Sequence, residues 1–289
     1  MASDDLWLAV ARALGSPVTQ HTRQAGGDIN DAYRLTLADR RQIFVKTHPS
    51  APTGMFTAEA QGLRFLDVTG GPRIPRVLAA KEAHGQAPAF LALEWIAAAR
   101  PSRDHAEHLG RALAALHRTT PAGFGLGHDN FIGSLVQANT PTDTWASFYR
   151  ERRLLPQLEL AASAGRAPDK LRRGLERVCT RMEALVGPEE PPARLHGDLW
   201  GGNAMQDEKG LPCLIDPAAY GGHREIDLAM MHLFGGFHDA TFRAYDEAFP
   251  LRPGASERIN LYQLYPLMVH VNLFGGHYIQ QAQRLASRY

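Results

Sequence analysis

Asp198, Asn203 and Asp216 follow one another at intervals of five and thirteen residues, within His196-Gly197-Asp198-Leu199-Trp200-Gly201-Gly202-Asn203 and Leu214-Ile215-Asp216. Phosphoryl transfer to an alcohol uses such a set: a carboxylate facing the acceptor hydroxyl, and a carboxamide and a second carboxylate holding Mg²⁺ against the phosphates. Asp198 is therefore the candidate catalytic residue, with Asn203 and Asp216 as candidate metal ligands. Mostly apolar residues lead into both halves (193–195 and 212–215), as expected of short strands delivering polar side chains to a cleft. A glycine-rich surface turn would account for either half alone, but not for both spacings with apolar approaches.

The first half parallels the H-R-D-x-x-x-x-N catalytic loop of protein kinases, with Gly197 in place of the Arg. A site of this kind needs a phosphate-binding Lys and a carboxylate to orient it. Lys46 ends the apolar run Ile43-Phe44-Val45, the strand context of such a Lys. Glu59 shares a helical stripe with Met55, Leu63 and Leu66, which puts a carboxylate on an inward face, where it requires a cation. Lys46 is its expected partner. Gly26 and Gly27 lie just before the first hairpin strand, where a glycine turn lets backbone N–H groups approach phosphate oxygens. Leu93, Glu94, Trp95 and Ile96 end a strand at the expected hinge, where backbone groups of Glu94 and Ile96 are candidates for binding the adenine of ATP. There is no G-x-x-x-x-G-K-[ST], which removes the P-loop alternative.

Other motifs carry less. Gly123-Phe124-Gly125-Leu126-Gly127 follows a proline and reads as a loop, and the thirteen histidines show no zinc spacing. The balance of 31 basic against 30 acidic residues gives no electrostatic reason to expect nucleic acid or an anionic membrane as partner. No apolar run reaches the ~18 residues of a membrane span. Two distant cysteines, Cys179 and Cys213, exclude a disulfide framework, and the expected compartment is the cytoplasm.

The elements that position these residues follow from periodicity. A helix through Leu14, a hairpin of 31–37 and 41–47, a helix over 52–66 and strands over 76–80 and 89–94 make a strand-rich first third. Helices are expected over 104–118, 145–164, 170–186, 225–235, 239–248 and 256–287. The expected division is an N-terminal nucleotide-binding lobe, 1–95, and a catalytic and substrate-binding lobe, 96–289.

With these residues assembled, the chain resembles the fructosamine/ketosamine-3-kinase family, within the aminoglycoside-phosphotransferase and choline-kinase group. The resemblance runs nearly end to end, through Gly26-Gly27-Asp28-Ile29-Asn30, Phe44-Val45-Lys46, the 196–203 loop, Asp216-Pro217-Ala218, the segment Tyr220 to Met230, Leu261-Tyr262-Gln263-Leu264-Tyr265 and Asn272-Leu273-Phe274-Gly275. It implies an α+β, two-lobed, protein-kinase-like fold, with an antiparallel sheet plus helix in the N-terminal lobe and a larger, mainly helical C-terminal lobe. It also implies ATP- and Mg²⁺-dependent phosphorylation of the sugar O3 of ketosamines, free or on glycated protein side chains, with release of the amine. Trp200 distinguishes the chain from many aminoglycoside kinases and is the candidate sugar-binding surface. The cysteine that some members carry in the nucleotide loop is absent here, so redox control through it is not expected. A kinase of another hydroxylated metabolite or of an aminoglycoside is the alternative. A catalytically dead regulator is disfavoured by the retention of Lys46, Asp198, Asn203 and Asp216.

Overall fold

The computed structural model describes residues 4–24 and 30–289. Five antiparallel strands form one sheet: β1 (Val18–Gln24), β2 (Asp31–Leu37), β3 (Gln42–Thr47), β4 (Val77–Lys81) and β5 (Phe90–Glu94), in the order β1-β2-β3-β5-β4. Alternation assigns the two faces. Tyr33, Leu35, Ile43, Val45, Phe90 and Ala92 pack on Leu6 and Val10 of helix α1 (Asp4–Leu14). The opposite face carries Phe44, Lys46, Leu91 and Leu93, with helix α2 (Met55–Leu66) against it. Lys46 therefore leaves β3 toward α2, away from the α1 core.

The chain crosses to the second part through β6 (Ala98–Ala99), helix α3 (His105–Arg118) and the small hairpin β7 (Asn130–Ile132) and β8 (Leu135–Gln137). Next come α4 (Trp145–Phe148), a π-helical segment Tyr149–Leu154, α5 (Leu155–Ser163), α6 (Asp169–Thr180) and α7 (Met182–Leu185). The catalytic segment is built from β9 (Ala193–Leu195), β10 (Ala204–Asp207), β11 (Pro212–Leu214) and β12 (Tyr220–Gly222), followed by α8 (Glu225–Phe234), α9 (Asp239–Ala248), α10 (Ala255–Tyr262), α11 (Leu264–Phe274) and α12 (His277–Ala286). This is the two-lobed α+β plan that the sequence implied. Among the described residues no helix is long and apolar enough to cross a membrane.

Three helical expectations are refined. The 145–164 helix carries an internal π turn, 170–186 breaks at Arg181, and 256–287 is three helices. Gly275 and Gly276 both take positive φ between the last two, a conformation that ends the right-handed helix. Strand β1 was not foreseen. Its VTQHTRQ sequence has no apolar alternation because it is an exposed edge strand with little to bury. In the helical lobe, α3 and α9 approach closely at Gly110, where a Cβ would overlap the Thr241 carbonyl oxygen. Both cysteines are free and buried, as expected.

Candidate active site

Short antiparallel pairings assemble the catalytic segment. β9 pairs with β12 and β10 with β11, so one loop leaves β9 carrying Asp198, Asn203 immediately precedes β10, and Asp216 follows β11. The Ile215 N–H donates to the Asn203 carbonyl (3.0 Å), and the Ala218 N–H to the His196 carbonyl (2.9 Å), closing the two loops on each other. The linker between the lobes is tied to the same hairpin: β6 pairs with β10, and the Ser102 N–H donates to the Gln206 side-chain oxygen at 2.8 Å.

Lys46 and Glu59 meet as expected. Lys46 Nζ lies 2.9 Å from Glu59 Oε1 and 2.8 Å from Asp216 Oδ1. Burial alone would lower the Lys46 pKa, but Asp216 and Glu59 more than offset it and hold the ammonium charged. Burial pushes the Glu59 carboxyl upward against the pull of Lys46. The Lys46 and Glu59 side chains are only 9% and 12% exposed, whereas that of Asp216 is 38% exposed. The Asp216 backbone has φ 56°, a left-handed conformation unusual for a residue with a Cβ.

Asn203 Nδ2 donates to the Asp198 carbonyl (2.8 Å) and to Asp198 Oδ2 (3.3 Å), which leaves the carboxamide oxygen as the acceptor. With the Asp216 carboxylate this would make an all-oxygen pair able to hold a metal ion. It suits Mg²⁺, a hard cation that keeps several waters and takes substrate phosphates rather than a full protein cage. Burial and the nearby Asp216 charge push the Asp198 carboxyl up to about 6.

Gly197 adopts φ 80°, and a Cβ there would overlap the Ala218 carbonyl oxygen, which explains why no Arg stands at this position. Asp227, fully buried at the start of α8, accepts from the N–H groups of His196 (2.7 Å) and Gly197 (2.9 Å) and lies 3.2 Å from His117 Nε2. His117 Nδ1 in turn faces the Tyr245 hydroxyl at 2.9 Å. The His196 imidazole, kept neutral by burial, donates from Nε2 to the Ile215 carbonyl at 2.8 Å. Asp227 and His117 thus clamp the loop behind Asp198. A carboxylate in the first turn of the apolar helix Glu225–Phe234 was the available signal for Asp227. Nothing in the sequence singled out His117.

Trp200 is 42% exposed, and its indole lies against Gly202 within the loop that carries Asp198. Its side chain is on the surface, outside the apolar core. At the expected hinge, Leu93 and Ile96 are buried. The Glu94 N–H is bonded to the Arg76 carbonyl (2.9 Å), and the Trp95 ring lies under the Arg34 guanidinium (4.8 Å) and tilted to Phe44. Gly26 and Gly27 lie outside the described residues.

The fructosamine kinase family model matches residues 6–289. A protein named a probable ketoamine kinase, from Synechocystis sp., is 40% identical over 281 residues, covering 96% of this chain and 92% of its own. The chloroplastic protein-ribulosamine 3-kinase of Arabidopsis thaliana is 35% identical over 277 residues, covering 94% and 83%. A Thermobifida fusca protein whose structure was solved as a candidate fructosamine-3-kinase superposes with a TM-score of 0.90 at 39% identity, over all of both chains. Matched along its length in sequence and in structure, the chain belongs to the fructosamine kinase family.

Proposed function

We infer that this protein is an ATP-dependent ketosamine-3-kinase. It transfers the γ-phosphoryl group of ATP to the 3-hydroxyl of the sugar in fructosamine or ribulosamine adducts, whose 3-phosphates then release the amine. The observation that carries this reading is the convergence of Lys46, Glu59, Asp198, Asn203 and Asp216 in one cleft, in a member of this family.

Each side chain has a part. Lys46, held by Glu59, presents its ammonium to the ATP phosphates. Asn203 and Asp216 would hold Mg²⁺, which when bound neutralises charge on the phosphates. Asp198 orients the attacking hydroxyl and accepts its proton late, since a carboxylate near 6 is still far too weak a base to deprotonate an alcohol beforehand. Trp200 offers an exposed aromatic face to the C–H side of the sugar. Gly26 and Gly27 are assigned to the ATP phosphates from the sequence alone. Leu93, Glu94, Trp95 and Ile96 form the adenine end, with the Glu94 carbonyl and Ile96 N–H as the hydrogen-bonding groups, because the Glu94 N–H is already engaged. The lobe boundary falls between residues 95 and 96, and the setting is cytoplasmic.

A coupled ADP-release assay with MgATP and synthetic ribulosamine or fructosamine tests the reading. Turnover that depends on the ketosamine and is lost in Asp198→Asn supports it. ADP release that is indifferent to ketosamine, or that responds only to an unrelated alcohol, refutes it.

A further inference from the structure

Arg153 heads the fully buried side chains by volume, yet among the described residues no carboxylate pairs with it. It lies in the π-helical segment Tyr149–Leu154, a type of turn that recurs at functional sites. Its guanidinium carbon is 3.9 Å from the centre of the Tyr220 ring, 4.6 Å from that of Phe148 and 5.4 Å from that of Tyr265. Three aromatic faces thus replace a counter-ion. Nη1 donates to the carbonyls of Ala138 (2.6 Å) and Arg152 (2.9 Å) and Nη2 to Asn139 Oδ1 (2.7 Å), while buried Nε has no partner among the described residues.

That last bond sets the direction of a buried chain of amides. A guanidinium only donates, so Asn139 must turn its oxygen toward Arg153 and its Nδ2 toward Asn130 Oδ1, at 2.8 Å. Asn130 then has only its own Nδ2 to offer on the far side, and it donates to the Ala219 carbonyl at 2.8 Å. Gln137 Nε2 donates to Asn130 Oδ1 (2.7 Å) and to the Ala218 carbonyl (3.0 Å), while its oxygen accepts from the Tyr265 hydroxyl (2.6 Å). Ala218 and Ala219 stand two and three residues after Asp216. The loop is therefore pinned from both sides: Asn203 and His196 accept its N–H groups at the cleft, and this network donates to its carbonyls behind.

We propose that the buried network of Arg153, Asn139, Asn130 and Gln137 is a positioning device for phosphoryl transfer, holding the Ala218 and Ala219 carbonyls and so aiming the Asp216 carboxylate. The inference rests on the reading of Asp216 as a metal ligand. The left-handed backbone of Asp216 is a conformation that persists only where the surroundings over-determine it. Partners behind a metal ligand commonly govern its affinity for the metal.

Asn139→Asp separates aim from stability. The new carboxylate gives Arg153 a counter-ion, but it cannot donate to Asn130 Oδ1 and repels it, which loosens the hold of Asn130 on the Ala219 carbonyl. Hydrogen exchange of the 216–220 amides in the ligand-free protein is expected to be about tenfold faster in this variant, with α3 and β5 unchanged. The half-saturating Mg²⁺ concentration is expected to rise about tenfold, with the KM for ketosamine unchanged. Tyr265→Phe, which removes only the hydroxyl that orients Gln137, should move both readouts in the same direction by about threefold. If Asn139→Asp does not fold, Tyr265→Phe decides. A folded variant with parental exchange at 216–220 and a parental Mg²⁺ requirement overturns the proposal. The exchange measurement needs no substrate, so a protein without ketosamine activity would refute the functional reading while leaving this arm to be judged alone.

Discussion

Asp198→Asn is expected to remove most activity and, at neutral pH, to stabilise the fold. The carboxyl is held at about 6 instead of the ordinary 3.8, chiefly by burial and then by the Asp216 charge. The folded state therefore binds this proton more tightly than the unfolded chain, and ionised Asp198 costs stability above pH 6. That gap corresponds to roughly 3 kcal/mol at most, a penalty that develops as pH rises from 3.8 to 6 and vanishes below 3.8. Asparagine keeps the shape and the contact with Asn203 without the charge. Thermal unfolding of metal-free, nucleotide-free protein should show the variant melting on the order of 5 °C above the parent at pH 8, with the difference gone at pH 3.5 if the parent is still folded there. The same substitution should lower kcat about 10²–10⁴-fold. With the Asp198 carboxyl raised toward 6, kcat/KM for ketosamine should fall as pH drops from 7 to 5 and the carboxylate is protonated. An equal or lower melting temperature for Asp198→Asn at pH 8, or a flat kcat/KM from pH 7 to 5, would refute the argument that Asp198 is a desolvated carboxylate working in its charged form.

Glu59→Gln removes one of the two charges that hold Lys46 and leaves Asp216, 2.8 Å away, as its only carboxylate, so the ammonium is drawn off the phosphate path; kcat/KM for ATP should fall about 10–100-fold, and parental ATP kinetics would count against the pairing. Gly197→Ala forces a Cβ onto the Ala218 carbonyl oxygen at positive φ, and should cost more than about 1 kcal/mol in urea unfolding together with activity; a variant as stable as the parent would contradict the tight approach of the two loops. Trp200→Ala should raise KM for ketosamine about tenfold and leave KM for ATP and the melting temperature near parental values, because the indole is exposed; equal effects on both substrates would remove its role in sugar binding.

What the sequence disclosed about this fold has a physical pattern. Lys46, Glu59 and the strands into Asp198 and Asp216 were legible because each is a polar exception in an apolar run, and burial makes such exceptions costly unless partnered. The pairing of Lys46 with Asp216 as well as with Glu59 was not legible. It joins residues 170 positions apart, and only the pairing of β10 with β11 fixes where Asp216 emerges. Strand β1 was invisible for the opposite reason: an edge strand in water leaves no apolar period. Arg153 was hidden in the charged run Tyr149-Arg150-Glu151-Arg152-Arg153, which on pattern alone is a solvated helix face. The π turn is associated with this arginine's burial, and periodicity of 3.6 carries no trace of it.

The central claim is transfer of phosphate to the 3-hydroxyl of a ketosamine. A peptide carrying one ribulosyl-lysine, incubated with MgATP and the protein, tests it when ³¹P resonance and peptide mass are followed together. The account predicts a sugar 3-phosphate that appears and decays as unmodified lysine is regenerated, with no such signal from an analogue lacking the 3-hydroxyl. Phosphate on another hydroxyl with the adduct left intact, or ADP formed with no phosphorylated sugar at all, would contradict it.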